Sequence, residues 1–139
     1  MSVPGAIAPY QIGDRIFLDG GLTRNLPVDV VRQMGAEIVI VVNIGTPLLK
    51  KQDIQSLVGV TLQMVNILTE QNVRASLDSL KSTDHLISPP LDTIGAADFS
   101  LVGDAITIGA ATTRSMANSL RVLSLPAAEY ADLRAAQLA

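Results

Sequence analysis

An aspartate followed by two glycines, Asp19-Gly20-Gly21, is the combination in this chain best suited to chemistry. It comes directly after Arg15-Ile16-Phe17-Leu18, which reads as a short strand, and ahead of a loop and a helix. A carboxylate there stands at the carboxyl end of a strand, the edge where open α/β sheets bind ligands. Within about 2.6–3.2 Å of a hydroxyl, such a carboxylate can take its proton and so create a nucleophile. The two glycines permit a turn with positive φ and allow a partner to approach closely. Asp-Gly is also a common turn pair, and on spacing alone a structural turn is the stronger reading. Asn25 is expected to hydrogen-bond the loop after Asp19 or to cap the helix that follows.

Other reactive side chains are few. His85 is the only histidine, and beside Asp84 in a short strand it reads as an ordinary structural or surface residue. Asp84, Asp92, Asp98 and Asp104 lack the spacing of a calcium loop, and Pro89-Pro90 breaks any shared helical face, so a solvated acidic surface is expected. None of the ten serines lies in a Gly-x-Ser-x-Gly elbow. Without cysteine there is no disulfide framework, thiolate metal site or sulfur nucleophile. No metal and no cofactor are expected.

The elements that must hold Asp19 are aliphatic. Pro27 suits the first turn of a helix, Val28, Val31 and Met34 follow at helical spacing, and Gly35 stops it. Glu37 to Asn43 is a β-branched run that reads as a strand buried on both faces. Strand 15–18, this helix and strand 37–43 together suggest a βαβ unit with a parallel sheet. A long amphipathic helix is predicted from about Asp53 to Leu80, loosened at Gly59. Its Gln63, Asn66, Glu70, Arg74, Asp78 and Lys81 form a polar side, while its Leu/Val stripe is expected to pack on the sheet. A short strand, His85 to Ser88, ends at Pro89-Pro90, and two helices follow over Asp104–Leu120 and Ala127–Leu138. The expected class is α/β.

Composition excludes several functions. The chain has 139 residues, 48% hydrophobic and 17% charged, so it has the material for a core and not the make-up of a disordered tail. A net charge of −3 leaves no basic footprint for nucleic acid and no polybasic patch for anionic lipid. The longest uncharged run, Ile54 to Thr69, is too short and polar against the roughly 20 apolar residues of a spanning helix. Met1-Ser2-Val3-Pro4-Gly5 lacks a basic region followed by an apolar stretch, so no signal peptide is expected there, and the compartment stays open.

The segment Asp19-Gly20-Gly21-Leu22-Thr23-Arg24-Asn25-Leu26-Pro27-Val28 resembles the Asp-Gly-Gly/Ala region of patatin-like phospholipases, with the Asn-x-Pro that commonly follows. Ser2 to Pro9 is similar to the Ser-x-Pro stretch ahead of that aspartate, and Met34 to Leu48 to the next helix end, strand and loop. Asp84 to Leu91, Ala97-Asp98-Phe99 and Ala105 to Gly109 resemble the tail of bacterial members similar to neuropathy target esterase. The likeness covers nearly the whole chain. It implies a three-layer α/β/α fold with a mainly parallel sheet, and residues 1–139 as the C-terminal portion of one such domain.

The same resemblance implies hydrolysis of lipid acyl esters by a Ser–Asp dyad without histidine. Asp19 would be the catalytic aspartate, with Gly20, Gly21 and Asn25 supporting its loop. An aspartate is ionised at neutral pH, so it can serve as base unaided, while oxyanion donors supply the larger stabilisation. The serine elbow and the glycine-rich oxyanion loop precede the aspartate in the family, and neither motif occurs in this sequence. The implied partners are a lipid ester, the upstream part of the domain and a membrane surface touched peripherally. This chain alone is expected to be inactive. The alternative is a non-catalytic lipid- or protein-binding module. A nucleotide-binding domain is disfavoured, because no glycine-rich phosphate loop opens a helix.

Overall fold

The computed structural model describes residues 8–45, 56–91, 94–95 and 98–138. A hairpin comes first: β1 (Tyr10–Ile12) pairs antiparallel with β2 (Arg15–Phe17), Tyr10 facing Phe17 and Ile12 facing Arg15. Its two-residue turn is Gly13-Asp14. Gly13 has φ +58° and Asp14 does not share the positive sign, the pattern of a type II′ turn that matches strand twist. One turn of helix, α1 (Gly21–Arg24), and then α2 (Val28–Gln33) follow. Gly35, at φ +97°, ends α2 as its type predicts.

The parallel pairing lies elsewhere than expected. β2 belongs to the hairpin, so 15–18, α2 and 37–43 do not form a βαβ unit. That unit is instead β3 (Ile40–Val42), α3 (Leu57–Asp78) and β4 (His85–Ile87), with Ile40, Val41 and Val42 in register with His85, Leu86 and Ile87. The long helix supplies the crossover that parallel strands require. The class is therefore mixed α/β, with two small two-stranded sheets among the described residues.

β3 also departs from the expected burial. Val39 and Val41 are buried, whereas Ile38, Ile40, Val42 and Ile44 are 44–65% exposed. Alternation with period two means one face of the strand is covered and the other is open. The covered face packs Val28, Val39 and Val41 together with Leu26, Ala36, Leu77 and Leu80. This small cluster joins α2, β3 and the end of α3.

Ser56 caps α3, its Oγ accepting from the Gly59 amide at 3.0 Å. The helix runs unbroken through Gly59, so the predicted loosening does not occur; the predicted start at Asp53 lies outside the described residues. Beyond β4, a 3₁₀ turn at Phe99–Leu101 leads into α4 (Val102–Ser115), α5 (Ala117–Leu120), a second 3₁₀ turn at Arg121–Leu123 and α6 (Ala127–Leu138). The two predicted C-terminal helices are thus present, the first of them divided at Met116. Among the described residues, no helix is long and apolar enough to cross a membrane.

Candidate functional site

Asp19 lies two residues beyond β2, at the entrance to α1. Its Oδ1 accepts a hydrogen bond from the Gly21 amide at 2.8 Å, so the side chain folds onto its own backbone in an Asx turn. The Gly20 carbonyl then accepts from Thr23 and Arg24 amides at 3.1 and 2.9 Å and starts the helical turn. Among the described residues no other hydrogen bond reaches the Asp19 carboxylate.

The glycines act through space, not through unusual backbone angles. Gly20 is helical at φ −66°, and neither Gly20 nor Gly21 takes positive φ, contrary to the turn conformation considered from sequence. A Cβ on Gly21 would stand 3.1 Å from both Asp19 Oδ1 and Asn25 Oδ1. Any side chain there would push those oxygens away from the loop. Asn25 thus stands as close over Gly21 as Asp19 does. It does not cap α2, whose N-cap position is Pro27 and carries no side-chain bond.

These residues form one end of a cleft of about 200 Å³. Asp19, Gly21, Leu22 and Asn25 line one side, and Val65, Asn66, Thr69, Glu70 and Val73 of α3 line the other. Gly45 closes a third side just past β3, its amide donating to Asn43 Oδ1 at 3.0 Å. The Asn43 amide donates to the Ile87 carbonyl at 2.8 Å, so this wall is fixed to the carboxyl ends of the parallel strands. The volume is below the roughly 300–1,000 Å³ of drug-sized sites. It has room for a small group, not for a drug-sized molecule.

Sequence reasoning missed the helical wall. Asn66, Thr69 and Glu70 were expected on a solvent-facing polar side or not singled out, yet all three are half-buried against the Asp19 loop. A signal was available: Val65, Thr69 and Val73 recur every four residues beside Asn66 and Glu70, marking one mixed face of a helix. Glu70 also holds Arg74 by an exposed ion pair at 2.9 Å.

The other candidates stand apart from this cleft. His85 opens β4 and does not line it, while its amide donates to the Val39 carbonyl at 2.9 Å. Asp84 corrects the expectation of a solvated acid. Its side chain is 0% exposed, Oδ1 accepting from the Val39 amide at 2.9 Å and Oδ2 from the Lys81 amide at 2.8 Å and from Arg32. The Lys81 amide bond, then the Val39 bond and the Arg32 guanidinium, outweigh the cost of burial and hold its carboxyl below the ordinary value of 3.8. Asp98 accepts from the Gly95 amide at 2.8 Å, and Asp92 lies outside the described residues. Among the described residues no group of three or more acids and histidines could hold a metal ion. No family model matches this chain.

Proposed function

We propose that this chain carries the acid–base half of a serine lipid acyl hydrolase of patatin-like type, with Asp19 as its base. The observation that carries the reading is the Asp19 carboxylate. One oxygen is held by the Gly21 amide, and the other has no partner among the described residues, within a cleft sized for an ester group. In this reading Oδ2 takes the proton of a serine supplied by sequence outside this chain, and the serine oxygen attacks the ester carbonyl. Asp19 returns that proton to the departing alcohol, and then serves again as base when water cleaves the acyl–enzyme. Backbone donors for the oxyanion would come with the serine, as the resemblance implies. The three-layer α/β/α arrangement belongs to the same proposal, since the open row Ile38, Ile40, Val42 and Ile44 is a face that another layer would cover.

That open row favours a second reading, a module that binds lipid or protein without catalysis. A fluorophosphonate probe and a short-chain p-nitrophenyl ester separate the two. Applied to the protein together with any coding sequence upstream of Met1, labelling of one serine with turnover supports the hydrolase. Neither labelling nor turnover there supports the module. Stoichiometric labelling of a serine in the 139-residue chain alone would overturn the proposal that its nucleophile lies elsewhere.

A further inference from the structure

We infer that Asn72 is a positioning residue for Asp19, an assignment of role that rests on the hydrolase reading but can be measured without it. Asn72 sits on α3, and its Nδ2 donates to the Leu22 carbonyl at 2.8 Å, across 50 residues of sequence. Leu22 is the second residue of α1, the single turn that begins where the Asp19 loop ends. A four-residue helix has no stability of its own, because nucleating a turn costs more than its few hydrogen bonds return. Something outside it must hold it, and α3 is the element it packs against.

The bond is placed to matter. Leu22 is adjacent to Gly21, whose amide fixes Asp19 Oδ1, and Leu22 also lines the cleft. Among the described residues the hairpin β1–β2 pairs with no other strand, so the chain before Asp19 offers no sheet to anchor the loop. The loop's position relative to Asn66, Thr69 and Glu70 is then set from its far side, by α1 docked on α3. Asn72 supplies the one directional contact in that docking that the described side chains show. Without it, apolar packing still holds α1 near α3, but the turn can rotate and carry the Gly21 amide off Asp19.

Asn72→Asp tests this with the same shape, exchanging the donor for an oxygen that repels the Leu22 carbonyl; Asn72→Leu removes the donor without adding charge. Amide hydrogen exchange in the full-length protein reads the loop directly. The Gly21 amide should exchange about tenfold faster in both variants, roughly the worth of one hydrogen bond, while amides in the middle of α3 and the melting temperature change little. Asn72→Gln, which keeps a donor, should recover part of the protection. Where turnover is measured, kcat should fall with KM nearly unchanged. Unaltered exchange at Gly21, or faster exchange spread evenly along α1 and α3, would overturn the assignment. Selective loosening at Gly21 in a protein without any turnover would keep Asn72 as the residue that holds Asp19 and would remove the hydrolase reading alone.

Discussion

The guanidinium of Arg32, on α2, meets the enclosed carboxylate of Asp84, 52 residues further along the chain, with Nη2 at 2.5 Å from Oδ2. Arg32 Nη1 also donates to the carbonyls of Ala36 and Glu37 at 3.1 and 2.8 Å. Asp84 in turn accepts from the amides of Val39 and Lys81. One pair of side chains thus ties the end of α2, the approach to β3 and the turn before β4. It fixes how the parallel strands enter their pairing. A buried ion pair is retained at little net loss only where its remaining hydrogen-bonding groups are satisfied, as they are here.

Asp84→Asn should therefore lower the melting temperature clearly, because an amide cannot accept from two amides and a guanidinium with the same strength. The exposed pair Arg24–Asp29, at 3.4 Å, is the internal control. Asp29→Asn should cost within about 0.5 kcal/mol, as surface pairs do. Thermal melts of both variants beside the parent chain decide it, and equal melting temperatures would sink the clamp.

Acid should act through the same group. The Asp84 carboxyl is held below its ordinary value of 3.8 in the folded chain, so folding favours the ionised form. The stabilisation is complete above the unfolded value and is lost as pH falls through the lower, folded one. Melting temperature measured from pH 6 down to pH 2 should drop below about pH 4, and the drop should be shallower in Asp84→Asn.

The two faces of β3 give a third contrast. Val41 is 5% exposed and Ile40 is 51% exposed. Val41→Ala should cost about 2 kcal/mol through lost burial and a cavity, whereas Ile40→Ala in the 139-residue chain should cost well under 1 kcal/mol. The open row should also make this chain bind a hydrophobic dye and elute larger than a monomer on size exclusion. Ile40→Thr with Val42→Thr should reduce both effects. In a longer protein where another layer covers that face, Ile40→Ala should become as costly as Val41→Ala.

Local signals were legible and pairings were not. Gly35 marks the end of α2 for reasons within a few residues, and Ala127–Leu138 is a helix as expected, whereas the Ser56 cap of α3 is not read from the sequence, which sets that start at about Asp53. Which strand pairs with which depends on chain closure over long distances, so Arg15–Phe17 was assigned to a sheet it does not join. A run such as Ile38 to Ile44 shows only that its side chains are apolar, not how many faces are covered. At the candidate site, Asp19, Gly21 and Asn25 lie within seven residues of one another, so one turn brings them together and they can be named as a group from sequence. Asn66, Thr69, Glu70 and Asn72 approach from α3 by tertiary packing; their spacing marks a mixed helix face but not the loop that it meets.

The decisive prediction concerns Asp19→Asn in the protein that includes a nucleophile. The amide keeps the size of the side chain, and its carbonyl oxygen can still accept from the Gly21 amide as Oδ1 does now. The Asx turn and the start of α1 should survive, since asparagine favours the same turn. The melting temperature should move by no more than about 2–4 °C. Turnover is another matter, because an amide cannot take a proton from serine. General-base assistance contributes roughly 10²–10⁴-fold; no histidine lines the cleft, and its other carboxylate, Glu70, is paired with Arg74. If Asp19 served only to make the turn, asparagine would serve as well and hydrolysis would continue. Initial rates with a p-nitrophenyl ester, measured beside thermal melts, separate the two roles. Loss of at least 10²-fold in kcat at an unchanged melting temperature is expected, and full activity would remove Asp19 from the chemistry.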